Sequence, residues 1–207
     1  MPSNPPAHRR RSLRLQGFDY SWEGTYFVTV CTKDRECIFG TVVDGKMRLN
    51  DVGRVVQSVW DGLSERFPTI ELDAFVVMPN HVHGILVLVG AGLALPARDA
   101  ASSAPRRSRP DSLGSVLRAF KSIAAIGSNR LLSRSGQPLW QRNYYEHVIR
   151  SEESLNRIRD YIATNPIRWE LDRENPWRQG EDEFDRWLAT FKSKPPRVPR
   201  RILLKLA

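Results

Sequence analysis

Read along the chain, the order strand, helix, strand, strand, helix, strand and then an added helix predicts an α+β fold. The plan is a ferredoxin-like (RRM-like) split βαβ sheet with helices on one face, plus an added C-terminal helix. Three observations predict it. β-Branched and aromatic residues gather in short runs bounded by turn residues. Between those runs, apolar residues recur at helical spacing. No internal repeat and no apolar run of about 18 residues, the length a membrane-spanning helix needs, competes with this reading.

Residues 25–31 (TYFVTVC) read as the first strand. In 38–49, Asp44-Gly45 divides two short β-like runs, and Asp-Gly suits the positive φ angles of a type I′ hairpin turn. Asn50 is a good N-cap for a helix over 51–67, where Val52, Val55, Val56, Val59, Trp60 and Leu63 form the apolar stripe and Pro68 ends it. Strands over 71–78 and 81–89 follow, joined by a Pro79-Asn80 turn. Asp111 or Ser112 caps a helix reaching about Leu132, and 140–149 reads as a strand. Ser151 caps the next helix, with Glu152 and Glu153 favourably placed in its first turn and Pro166 expected to end or kink it. A last short helix covers 181–191.

Charge divides the chain differently. The net charge is +9, from 32 basic and 23 acidic residues. Residues 1–16 hold Arg9, Arg10, Arg11 and Arg14 without an acid, and 192–207 hold six basic residues without an acid. Taking those ten charges away leaves 22 basic against 23 acidic residues, net −1, in 17–191. The expected organisation is a basic arm (1–16), a near-neutral body (17–191) carrying a flexible insertion (90–110), and a basic tail (192–207). Basic tails favour a polyanion, most often nucleic acid, through counterion release. Improved solubility is the plain alternative. The two cysteines, Cys31 and Cys37, make no disulfide framework or zinc site, and no apolar leader is visible. The expected location is the cytoplasm, with no membrane.

Two constellations carry chemistry. In Asn80-His81-Val82-His83, side chains on a strand alternate, so His81 and His83 share a face and can grip one divalent cation while Val82 enters the core. Alone, the pattern equally describes a polar strand face. About eighty residues on, Tyr161 and Asn165 stand four apart, one turn from each other on a helix. Asn165 offers a carbonyl oxygen suited to a hard cation such as Mg²⁺ or Mn²⁺, and a phenol beside such a cation is a candidate nucleophile. A helical tyrosine is more often simple packing.

The segments AFVVMPNHVH (74–83), WQRNYYEHVIR (140–150) and YIATNP (161–166), in this order, resemble the REP-associated tyrosine transposases, relatives of single-tyrosine HUH insertion-sequence transposases. The likeness covers roughly residues 18–171. It implies an enzyme that cuts and rejoins single-stranded DNA at hairpin-forming repeats through a 5′-phosphotyrosine. By motif, Tyr161 is the nucleophile, and His81, His83 and Asn165 hold Mg²⁺ or Mn²⁺. The insertion at 90–110 and the C-terminal extension depart from the pattern. Arg9, Arg10, Arg11, Arg142 and Lys121 are the candidate DNA contacts, and the chain is expected to act as a monomer or homodimer. Tyr26, Tyr144 and Tyr145 rank below Tyr161 because none has a metal-type ligand four residues on; His147 reads as structural or as a partner of the ligands. The competing readings are a non-catalytic module that holds structured nucleic acid and a zinc-type hydrolase, which lacks a third histidine or a general-base glutamate at metal-ligand spacing.

Overall fold

The computed structural model describes residues 23–89 and 112–193. Strands β1 (Gly24–Cys31), β4 (Ile70–Val77), β5 (His81–Leu88) and β6 (Tyr145–Ile149) form one antiparallel sheet in the order β4-β5-β1-β6. Helix α1 (Asp51–Asp61) connects β1 to β4, and α3 (Leu113–Leu131) precedes β6. This is the split βαβ arrangement the element order predicts. The hairpin of β2 (Gly40–Val43) and β3 (Lys46–Leu49) turns on Asp44 and Gly45 at φ 51° and 68°. Both angles lie in the left-handed region a type I′ turn requires. The arm at 1–16, the whole insertion at 90–110 and the tail beyond 193 fall outside the described residues.

Alternation along the strands gives the sheet two different faces. On one, Tyr26, Val28 and Val30 of β1 and Val82, Leu86 and Leu88 of β5 are buried with Val56 and Trp60 of α1 and Leu117 and Phe120 of α3. On the other, Phe27 and Ile85 are buried with Leu155, Ile158 and Ile162 of α4 (Glu152–Thr164) and Phe184 and Leu188 of α5 (Glu183–Ala189). The added helices therefore cover the face opposite α1 and α3, which a sheet with helices on one side only would leave bare. The reason lies in the sequence of β1 and β5. Phe27 and Ile85 alternate with Tyr26 and Leu86, and a strand that is apolar on both sides needs cover on both.

Element ends follow their caps. Asn50 Oδ1 accepts from Gly53 N at 2.9 Å, Ser112 Oγ from Ser115 N at 3.3 Å, and Ser151 Oγ from Ser154 N at 3.2 Å. The helix expected over 51–67 breaks at Gly62 into α1 and the single turn α2 (Leu63–Arg66). The strand expected from 140 begins at Tyr145; Trp140 instead forms one isolated bridge to Thr32. Its indole is buried and donates to Lys121 O at 3.1 Å.

Gly84, directly after the two histidines, has no room for a side chain. A Cβ there would lie 2.4 Å from the Trp60 indole, which stacks on Phe75 with ring centroids 4.2 Å apart. Overpacking a filled core costs about 1–3 kcal/mol. Gly84→Ala should lower the unfolding free energy by that amount, read from urea denaturation as a lower midpoint; an unchanged midpoint would show that the Trp60 ring yields freely.

Candidate metal and tyrosine site

His81 and His83 project from β5 on the α4 side of the sheet, as strand alternation requires. Their Nε2 atoms lie 3.0 Å apart and both side chains are buried. Each Nδ1 is engaged from behind. His81 Nδ1 meets Asn80 Oδ1 at 2.8 Å, and His83 Nδ1 meets Thr29 Oγ1 of β1 at 2.9 Å. The Asn80 amide is oriented by its own NH₂, which donates to Arg35 O at 3.1 Å and Glu174 O at 2.7 Å. Asn80 Oδ1 can only accept, so His81 carries its proton on Nδ1 and turns a bare Nε2 inward.

α4 supplies the second half. Its apolar face seats it on the sheet, and Arg159 donates to both carboxylate oxygens of Asp73 on β4, at 2.9 Å from Nε to Oδ1 and 2.5 Å from Nη2 to Oδ2. Asn165 keeps helical angles (φ −56°, ψ −40°) past the end of α4, so Tyr161 and Asn165 stay on one face as their spacing predicts. Pro166 then tightens the chain into a 3₁₀ segment, Asn165–Leu171. That segment delivers Asp172, a residue the sequence analysis does not single out.

Asp172 completes the cluster. Its Oδ2 lies 3.7 Å from His81 Nε2 and 3.8 Å from His83 Nε2. The same oxygen accepts from Tyr161 O–H at 3.3 Å and from Asn165 Nδ2 at 2.8 Å, while Oδ1 accepts from Glu174 N at 2.7 Å. The Tyr161 oxygen is also 3.3 Å from His83 Nε2. Asn165 Oδ1 is buried with no hydrogen-bond partner among the described residues. Two converging imidazole nitrogens and a carboxylate oxygen are donors suited to a divalent cation, and His81, His83 and Asp172 could hold one. Asn165, expected as a ligand, turns its amide nitrogen towards Asp172.

Electrostatics agree with that use. Burial pushes His81 down to about 4, against the pull of Asp172, leaving a neutral imidazole near pH 7. Burial works against the charge on Asp172, but the two imidazoles and the Asn165 amide hold its carboxyl well below the usual range. Burial first, then the carboxylates of Asp172, Asp185 and Asp182, raise Tyr161 well above the ordinary phenol value. The phenol is therefore protonated, and its O–H points at Asp172.

The pocket is closed. The Tyr161 ring stacks on Phe184 of α5 at 3.6 Å between centroids and 8° between planes, and Trp169 lies over His81 at 6.1 Å. Other expectations place less close to the cluster. His147 packs on Phe191 at 4.8 Å, Tyr26 is wholly buried in the opposite core, and Tyr144 packs against that core too. Tyr145 lies on the site side, in register with Thr29, with the Arg173 guanidinium 5.1 Å from its ring. Lys121 Nζ donates to Gln141 O at 2.6 Å and Arg142 O at 3.2 Å, which orders the exposed Arg142. Gln141 N donates to Cys31 O at 2.9 Å, and Cys31 pairs with His81, so that segment borders the His81 end of the sheet. Arg9, Arg10 and Arg11 lie outside the described residues.

No protein-family model matches the chain. It is 41% identical over 173 residues to an uncharacterised protein of Haemophilus influenzae, covering 82% of this chain and 95% of that protein. A second Haemophilus influenzae protein, named as a REP-associated tyrosine transposase, is 26% identical over 151 residues, 72% of this chain and 74% of that protein. Similar solved structures include a REP-associated tyrosine transposase bound to a REP hairpin, at 20% identity and TM-score 0.47, covering 88% of this chain and 90% of that one. A Deinococcus radiodurans transposase is similar at 19% identity and TM-score 0.41, covering 72% and 95%. Among the described residues no helix is long and apolar enough to cross a membrane.

Acid should unfold this protein through its histidines. Burial, with Arg150 adding to it, pushes His147 down to about 4, as burial does for His81; an exposed imidazole titrates at about 6.5. On acidification the unfolded chain takes up protons first, so stability present above about pH 6.5 is lost as the pH falls towards about 4. Urea midpoints should drop between about pH 7 and about pH 4.5, and His147→Phe should flatten the drop. A midpoint constant over that interval would contradict neutral buried imidazoles.

Proposed function

We propose that this chain, which belongs to one family with the first of those Haemophilus proteins and is similar to the REP-associated tyrosine transposases, cuts and rejoins single-stranded DNA at hairpin-forming repeats. The observation that carries the reading is the Tyr161 oxygen at 3.3 Å from both His83 Nε2 and Asp172 Oδ2, beside two Nε2 atoms 3.0 Å apart. His81, His83, Asp172 and Asn165 would hold Mg²⁺ or Mn²⁺. When bound, such an ion neutralises charge on a phosphate and makes phosphorus easier to attack.

The chain's own groups do the rest. Thr29 and Asn80 fix the imidazole planes, and Asp172 Oδ2 orients the phenol O–H. The Tyr161 oxygen attacks phosphorus in line. The P–O bond to the 3′ oxygen breaks, the 5′ phosphate stays on Tyr161, and the phenol proton is balanced by the one the 3′ hydroxyl gains. That hydroxyl, or one from another strand, reverses the step, so no ATP is consumed. Catalysis is positioning and charge neutralisation. Basic residues of the arm, insertion and tail track phosphates, with Arg142 and Lys121 at the edge of the site. The protein works as a monomer or homodimer in the cytoplasm.

One observation favours the second reading, a non-catalytic module that holds structured nucleic acid. His81, His83, Asp172, Asn165 and Tyr161 are all buried, and a phosphodiester reaches them only if the cover over them shifts. Gly180, at φ 107° just before α5, is a residue on which the chain can turn.

Incubation with a labelled single-stranded hairpin and MnCl₂ should give a protein–DNA band on a denaturing gel. Tyr161→Phe should abolish it, and Phe184→Leu, which removes the ring stacked on the phenol, should increase it. An adduct that survives Tyr161→Phe would end the assignment; no adduct from any form, with normal hairpin affinity, would favour the module. By calorimetry with MnCl₂, Asn80→Ala should weaken ion binding roughly 10- to 100-fold, as expected when the group orienting a ligand is lost. Unchanged affinity would detach Asn80 from the ion.

A further inference from the structure

The loop that follows Asp172 presents an indole to solvent five positions further along the chain. Trp177 is 71% exposed, although a tryptophan is among the costliest side chains to leave in water. Ile167 at 72% and Leu171 at 38% are exposed in the same short stretch. The loop is stiff. Asn175 Nδ2 donates to Trp169 O at 2.9 Å, Asn175 Oδ1 accepts from Trp177 N at 2.9 Å, and Gln179 N donates to Glu170 O at 2.8 Å. Trp177 is thus held out by a backbone that is already ordered, which lowers the entropy cost of using it.

The charges around it are sorted. The acids of the stretch that face the site, Asp172 and Glu174, are buried. Arg168, Arg173 and Arg178 have side chains 38%, 28% and 39% exposed and lean on Asp182, Glu174 and Asp185. An exposed flat aromatic surface on the same stretch of chain as three ion-paired, partly exposed guanidinium groups suits a ligand with a π-face and flanking phosphates. Trp177 lies five positions beyond Asp172, a reach of at most about 18 Å. That is a span of a few nucleotides from the proposed point of cleavage.

We propose that Trp177 is a stacking platform for one unpaired base of the single-stranded DNA flanking the scissile phosphate, with Arg168, Arg173 and Arg178 receiving the neighbouring phosphates. The inference rests on the nucleic-acid reading above and names where on this chain the unpaired strand lies. Trp177 positions the strand and takes no part in bond breaking.

The test uses the full chain carrying Tyr161→Phe, so that no DNA is cut, and a fluorescent hairpin with an unpaired tail, followed by anisotropy. Trp177→Ala should weaken binding roughly 5- to 100-fold, and Trp177→Phe should retain most of the affinity. Replacing tail nucleotides one at a time by abasic sites should reveal a position whose loss weakens the Trp177 protein but adds nothing to Trp177→Ala. Affinities within twofold of one another, or identical abasic profiles, would overturn the platform. So would a change confined to self-association in sedimentation, which would make the indole a contact between copies. Failure of the Trp177 protein to bind the hairpin at all would overturn the nucleic-acid reading and this inference with it. Binding with the expected Trp177 dependence, but no adduct from the native tyrosine, would support the platform while removing the catalytic reading.

Discussion

Two imidazole nitrogens 3.0 Å apart in a buried pocket are the constraint on which the site depends. Asn80 leaves one of them as a bare acceptor, so the buried pair needs a positive partner or a proton donor close by. Asp172, the Asn165 amide and the Tyr161 hydroxyl are the groups gathered there. Each of them alone would be costly to bury. Together they form an arrangement in which one oxygen, Asp172 Oδ2, accepts two hydrogen bonds and faces both rings, and in which His81, His83 and Asp172 could share a cation.

The fold builds this from opposite sides of a single strand. Trp60 of α1 presses on Gly84 from one face, and the two histidines leave from the other. β5 is therefore fixed from behind by packing that has nothing to do with chemistry. Across the sheet, Thr29 on β1 sets one imidazole, and at the strand turn Asn80 sets the other. The Arg159–Asp73 pair, next to a bulge in β4, ties α4 to the sheet two residues before Tyr161. A half-ångström shift of α4 would change the phenol's distance to His83, so this clasp serves the site through position.

Burial gives the cluster its electrostatic character and also closes it. The same desolvation that keeps His81 neutral and the phenol protonated comes from Phe184, Trp169 and the turn holding Asp172. Low dielectric strengthens each interaction inside the pocket. A polymer substrate needs that cover moved, so order and access oppose one another, and the chain between Asp172 and α5 is where they meet. Its first part is pinned to Trp169 and Glu170, whereas Gly180 separates it from the helix that carries Phe184.

The sheet, its helices and the placement of the four candidate residues His81, His83, Tyr161 and Asn165 were legible because each is written in a local period. His81 and His83 are two apart on a strand, and Tyr161 and Asn165 four apart on a helix, so geometry follows from spacing alone. Caps at Asn50, Ser112 and Ser151 mark helix starts for the same local reason. Asp172 follows no such period. It lies eleven residues beyond Tyr161, past a proline and a 3₁₀ segment, and only the folded path of that segment returns its carboxylate to the histidines. Asn80 stood in view within the histidine motif, yet its orienting role depends on carbonyls of Arg35 and Glu174, far away in sequence. Spacing along the chain thus determined which faces and which pairs exist. The meeting of those pairs, the third acid between them and the aromatic cover over them were decided by tertiary packing, because contacts between distant segments carry no signature in the residues that lie between.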